Sequence, residues 1–136
     1  MGRKIVVTSG KGGVGKTTLT ASLGIAIAET GKKVVLVDAD IGLNNLDVVL
    51  AVENKVVYDV LDVISGKCRL KQALIQDVDN PTLYVLPSAK IQDSPLITAC
   101  SFRNVVDALA LNFDFVIIDC PAGIDNGFHR AVSAAT

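Results

Sequence analysis

Four short runs along the chain are continuously apolar: Lys4–Thr8, Lys33–Val37, Leu83–Leu86 and Phe115–Ile118. A strand covered on one face alternates apolar with polar residues, whereas one covered on both faces does not. These runs therefore predict four strands buried on both sides. Between them the period changes to that of a helix. Thr17–Thr30 places Leu19, Leu23 and Ile27 at every fourth position, with Gly31 set to stop the helix. Tyr58–Ile64 reads as a short helix ended by Gly66, and Leu70–Ile75 as a further helical turn. Thr98–Leu111 is apolar at Phe102, Val105, Val106, Leu109 and Ala110, an amphipathic repeat. Strand and helix in alternation predict an α/β fold with a mainly parallel sheet, right-handed crossovers and helices on both faces. The segment after Asn126 has a helical pattern, with no strand behind it. Four aliphatic strands would leave one at a sheet edge. The expected organisation is therefore a single domain of which residues 1–136 form the N-terminal portion, truncated after the Phe115–Ile118 strand and its following helix.

Composition narrows this picture. With 136 residues, 50% hydrophobic and 20% charged, the chain has material for one domain with a sizeable core. Aromatic residues make up only 4%, so that core must be aliphatic. A net charge of −1 gives no general attraction for nucleic acid, and none is expected as a partner. Arg3 and Lys4 precede too short an apolar run for a secretory signal, and no run approaches the ~20 residues of a spanning helix. Gly2 is followed by Val6, where an acylation signal carries Ser or Thr. Cys68, Cys100 and Cys120 lack zinc-site spacing and read as free thiols. His129, the single histidine, has no metal-spaced partner and reads as a surface residue.

The chemistry begins behind the first strand. Gly10-Lys11-Gly12-Gly13-Val14-Gly15-Lys16-Thr17 fits G-x-x-x-x-G-K-[ST], the phosphate-binding P-loop. Glycines let the backbone curl so that several N–H groups converge on one anion. A helix starting near Thr17 adds its positive end. Lys16 is expected to reach the β- and γ-phosphates of ATP or ADP, and the Thr17 hydroxyl to ligate Mg²⁺. Residues 10 to 17 together with Thr18 form the expected cradle. On the generic motif alone, Lys11 is a solvated surface lysine.

Acidic residues follow two of the other strands, at the carboxyl ends where open α/β sheets bind ligands. Asp38 and Asp40 close the second strand, and Asp119 closes the fourth in the manner of a Walker B motif. Asp38 and Asp119 are the expected Mg²⁺ holders, since this cation keeps its waters and uses few carboxylates. Asp40 is the candidate for orienting the attacking water. Gly123 is placed to bring a backbone N–H to the γ-phosphate, while Asn45, in the loop after Asp40, is not counted among the site residues. With Lys16, these residues point to ATP hydrolysis by positioning and charge neutralisation.

The double-lysine loop, with Lys11 ahead of Gly12-Gly13 and Lys16, resembles the deviant Walker A loop of the ParA/MinD ATPase family. That resemblance implies a three-layer P-loop NTPase fold. It also implies a catalytic role for Lys11, crossing an ATP-dependent homodimer interface to the partner's phosphates. A cation so placed resembles an arginine finger, worth roughly 10³ to 10⁵ in rate in GTPases. Within the family, the chain is similar to the MinD branch at residues 40–47, 57–60, 70–75, 83–87 and 119–124, collinear with the N-terminal half of that branch. It departs at Asn44, where the branch carries a basic residue, and at Asp125, where Glu is commoner. The resemblance implies septum-site placement with MinC and MinE as partners. It further implies a cytoplasmic protein that binds the anionic inner membrane face when ATP-bound, through a C-terminal helix beyond Thr136.

Three other readings share some of these residues. A ParA-type partition or flagellar-placement ATPase would use the same loop and bind DNA in a salt-dependent way. An iron–sulfur carrier of the nitrogenase-reductase type would need bridging cysteines, for which Cys100 and Cys120 lack suitable surroundings. An inactive nucleotide-binding fragment would bind without turnover.

Overall fold

The computed structural model describes residues 2–7, 14–38, 57–87 and 99–119. In chain order these form β1 (Arg3–Val7), α1 (Val14–Ala28), β2 (Val34–Asp38), α2 (Val60–Ile64), α3 (Leu70–Ala73), β3 (Ile75–Gln76), β4 (Leu83–Leu86), α4 (Ala99–Asn112) and β5 (Phe115–Asp119). The sheet runs β1-β5-β2-β4-β3. Its pairings are parallel except for β3, which runs antiparallel to β4.

The order explains the layers. From β1 the chain crosses β5 to reach β2, and from β4 it crosses back over β2 to reach β5. Right-handed crossovers taken in opposite directions put their helices on opposite faces. Accordingly, Ala28 of α1 shares a core with Val34, Leu36, Leu83, Val85 and Ile117. On the other face, Phe102, Val106 and Leu109 of α4 join Val60 of α2 and Ala73 of α3 against Val35, Val37, Val116 and Ile118.

All four expected strands are present, with ends shifted by one residue at most where the chain is described. Every residue of β2 is buried, as its unbroken apolar run requires. β1 differs: Arg3 is exposed and the rest of the strand is half-buried, because it has a strand neighbour on one side only among the described residues. It is held instead by its ends. Gly2 donates its N–H to Ala110 O at 2.7 Å, Arg3 donates to Asp114 O, and Lys4 pairs with Asp107.

The fifth strand corrects the sequence reading, which carried helix through Ile75. α3 stops at Ala73 and Leu74 is already extended. Ile75 and Gln76 then pair with Val85 and Tyr84. Two residues are too few to show a strand period, so their apolar content merged with that of the preceding turn. The turn to β4 is closed by the Asp77 carboxylate, which accepts from the Asn80 backbone and side-chain amide.

Helix ends follow local chemistry. α2 begins at Val60 rather than Tyr58, because Asp59 and Asp62 form a reciprocal capping box. It ends where Gly66 takes φ +83 and Lys67 donates back to Asp62 O. Gly31, at φ +88, ends α1 as expected. Within α1 the expected apolar stripe is wrong in one position: Leu19 is 61% exposed. The sheet-facing residues are Thr20, Ala21, Gly24 and Ala28, with Leu23 and Ile27 packed at the margin. A Cβ on Gly24 would lie 2.7 Å from Leu36 Cδ2, so the helix backbone sits directly on β2.

Candidate functional site

Strand alternation fixes which way the acidic residues point. Ile5 and Val7 of β1, Val34 and Leu36 of β2, and Phe115 and Ile117 of β5 all contribute to the α1-side core. Side chains two residues apart share a face. Asp38 follows Leu36 and Asp119 follows Ile117, so both carboxylates project to the α1 side. They are also direct register partners, and Asp119 aligns in turn with Val7, the last described residue before the phosphate loop. Adjacent strands lie roughly 4.8 Å apart, which brings the two carboxylate-bearing positions within one strand spacing. Asp38 is 1% exposed and Asp119 fully buried, and each is engaged in polar or electrostatic contact.

α1 reaches the same edge. The contact of Gly24 with Leu36 sets its height on the sheet. Ten helical residues from Gly24 back to Val14 rise about 15 Å, while two strand residues from Leu36 to Asp38 advance about 7 Å. The first turn of the helix therefore lies beyond the level of the carboxylates, at the same edge of the sheet. Its first turn contains no acidic residue, so no carboxylate within that turn competes with an outside anion for the positive end of the helix.

Val14, Gly15, Lys16 and Thr17 thus stand in the first turn of α1, which starts three residues earlier than the sequence pattern suggests. Thr18 is exposed on the next residue. Gly10, Lys11, Gly12, Gly13, Asp40, Asn45 and Gly123 lie outside the described residues, as do Cys120 and His129. Of the sequence candidates, the structure brings together Asp38, Asp119 and the start of α1.

Sequence reasoning missed Thr20 and Gly24. Thr20 is fully buried with a polar partner, and Gly24 is the point of closest approach of helix to sheet. Their signal was present: Thr20, Gly24 and Ala28 are small residues at four-residue spacing, the mark of a helix that packs close. The leucines beside them are larger and drew the assignment of the buried face.

Two buried carboxylates on one face, one strand apart, bring paired anionic oxygens to the edge of the sheet. The donor set is all oxygen, which suits a hard cation such as Mg²⁺. Among the described residues no group of three or more His, Cys, Asp or Glu gathers as a metal site. Mg²⁺ does not need one, since one or two carboxylates with substrate phosphates and water complete its shell.

With this geometry in view, similarity to known proteins is informative. A protein-family model described as an AAA domain matches residues 2–136. The septum site-determining protein MinD of Bacillus subtilis is 52% identical over 136 residues, covering 99% of this chain and 51% of the relative. Among solved structures, the MinC:MinD cell division protein complex of Aquifex aeolicus superposes with a TM-score of 0.86 at 47% identity, covering 98% of this chain and 53% of that one. MinD of Pyrococcus horikoshii complexed with Mg-ADP gives 0.82 at 38% identity, covering 99% and 54%. These structures share the three-layer P-loop ATPase fold with its mainly parallel sheet. The chain belongs to the AAA domain family, and its likeness within that family is to MinD septum site-determining proteins, about half of whose length it spans.

Proposed function

We propose that this chain forms the phosphate- and Mg²⁺-binding part of a MinD-type ATPase that places the division septum. The observation that carries the reading is the juxtaposition of Asp38 and Asp119, buried on the α1 face at the edge where α1 opens. Lys16 and the backbone of residues 10–17 bind the phosphates, and Thr17, Asp38 and Asp119 are the residues that would hold Mg²⁺. A cation held there would supply positive charge against the phosphate oxygens. Asp40 orients the attacking water, and the backbone of Gly123 registers the γ-phosphate.

In the longer protein, ATP drives homodimerisation and Lys11 supplies a cation to the partner's site. MinC and MinE engage the dimer, which rests on the anionic inner face of the cell membrane. The similarity to a MinC:MinD complex and to a Mg-ADP-bound MinD supports this reading.

The experiment separates the two lysines in the longer protein. Lys16→Ala should abolish productive nucleotide binding. Lys11→Ala should keep much of the nucleotide affinity while losing ATP-dependent dimerisation and the hydrolysis that depends on it. Equal loss of affinity in both variants would refute the division of roles.

A further inference from the structure

Far from the carboxylate edge, at the amino ends of the strands, a groove of about 580 Å³ lies beside α3, the approach to β2 and the end of α4. Its size falls within the roughly 300–1,000 Å³ of ligand-binding clefts. Leu74 and Tyr84, both half-buried, give it apolar walls over the buried Leu109 and Phe113, and Lys33, Arg69 and Lys71 surround them. Among the described residues no acidic residue lines it, and the Asp114 carboxylate beside it accepts from the Lys33 backbone N–H. Among the described residues, the ion pairs are those of Asp107 with Lys4 and Arg103, so the three groove cations have no carboxylate partner there.

Lys33 is held in place by the walls themselves. Its Nζ stands 4.8 Å from the Phe113 ring centroid and 5.7 Å from that of Tyr84. The two rings meet edge to face, 5.4 Å apart and 75° between planes. Such contacts fix an ammonium that would otherwise range over many rotamers. The negative end of α4 is already satisfied: Phe113 N–H donates to Leu109 O, Gly2 N–H to Ala110 O, and the Asn112 amide to Ala108 O. The helix therefore offers the groove cations little competing charge.

We propose that this groove docks an acidic segment of a partner protein, with an apolar side chain seated against the half-buried Leu74 and Tyr84 and carboxylates on Lys33, Arg69 and Lys71. Charge complementarity selects an anion, and the recessed apolar walls select one that carries an apolar anchor. A nucleic-acid strand fits less well, because Lys33 lies over the ring that a base would stack upon. A membrane surface fits less well, because a planar bilayer meets the rim and leaves the recess empty.

The test is fluorescence anisotropy with a labelled short peptide in which Leu and Phe alternate with Asp and Glu. Saturable binding is expected, weakened at least tenfold in the double variant Arg69→Glu, Lys71→Glu and severalfold in Lys33→Gln. Arg69, Lys71 and Lys33 are exposed, so the variants should fold, which circular dichroism checks. Their ATP affinity should be unchanged, which separates this site from the nucleotide edge. A matched peptide with Lys replacing the acids should not bind, and phosphatidylglycerol vesicles should not displace the acidic peptide. Absence of acidic-peptide binding, indifference to the charge reversals, equal binding of the basic peptide, or displacement by the vesicles would each overturn the proposal.

Discussion

The two faces of the sheet are packed by different means. On the α4 face, large side chains fill the space: Phe102, Leu109 and Phe113 lie against Val35, Val116 and Ile118. On the α1 face the helix approaches by its backbone, with Gly24 against Leu36 and small Thr20, Ala21 and Ala28 beside it. β2 and β5 serve both faces, but their terminal Asp38 and Asp119 project to this second one. Volume spread over many side chains gives a face stability with some tolerance in position. Backbone contact leaves little tolerance, and it fixes where α1 opens relative to the carboxylates. Stability and site geometry should therefore be separable by mutation.

Phe102→Ala should produce the largest stability loss. Phe102 is completely buried at the centre of the α4 face, and such truncations cost about 3–5 kcal/mol. Urea unfolding measures this. At temperatures where the variant remains folded, its nucleotide affinity should match that of the parent.

Gly24→Ala should invert that pattern. The new methyl would meet three Leu36 side-chain atoms within 3.3 Å, in a residue with no exposed surface. Overpacking costs about 1–3 kcal/mol, against about 1 kcal/mol gained in helix propensity. The net loss should be about 1 kcal/mol, yet Mg·ATP affinity should fall severalfold because α1 is displaced from β2. An affinity loss in Phe102→Ala equal to that in Gly24→Ala would break the distinction between the faces.

The smallest effect concerns the thiols of the α4 side. Burial, with the nearby charges of Asp62 and Asp59, pushes the Cys68 thiol above its ordinary pKa. The thiolate is the reactive form, so Cys68 should stay protonated and alkylate slowly near pH 8. Cys100 is exposed on α4 and should label first. Iodoacetamide labelling followed by peptide mass spectrometry reads the order, and raising the pH should narrow the gap as Cys68 ionises. Equal rates near pH 8 would show that the surroundings of Cys68 do not protect it.

Much of the architecture was legible because burial on both faces leaves a plain mark. β2, β4 and β5 are unbroken apolar runs, and Gly31 and Gly66 stop helices where the left-handed turn requires glycine. The pairing of Asp38 with Asp119 was only half legible. Each strand end was visible, but their adjacency depends on β5 inserting between β1 and β2, which no local pattern encodes. β3 escaped because two residues cannot display a period. The sheet-facing side of α1 was misread because leucine is a stronger apolar signal than the Thr20, Gly24 and Ala28 stripe. The groove at the amino ends was invisible for a related reason: Lys33, Arg69, Tyr84 and Phe113 come from separate stretches, and only the fold assembles them.

The most direct test of the nucleotide edge is calorimetric titration of ATP into the folded parent and Asp119→Asn, each with and without Mg²⁺. The parent should bind ATP more tightly when Mg²⁺ is present, and the asparagine variant should lose most of that Mg²⁺-dependent gain while melting as a folded protein. No nucleotide uptake by the parent, or the same Mg²⁺ gain in both proteins, would contradict the assignment of the paired carboxylates.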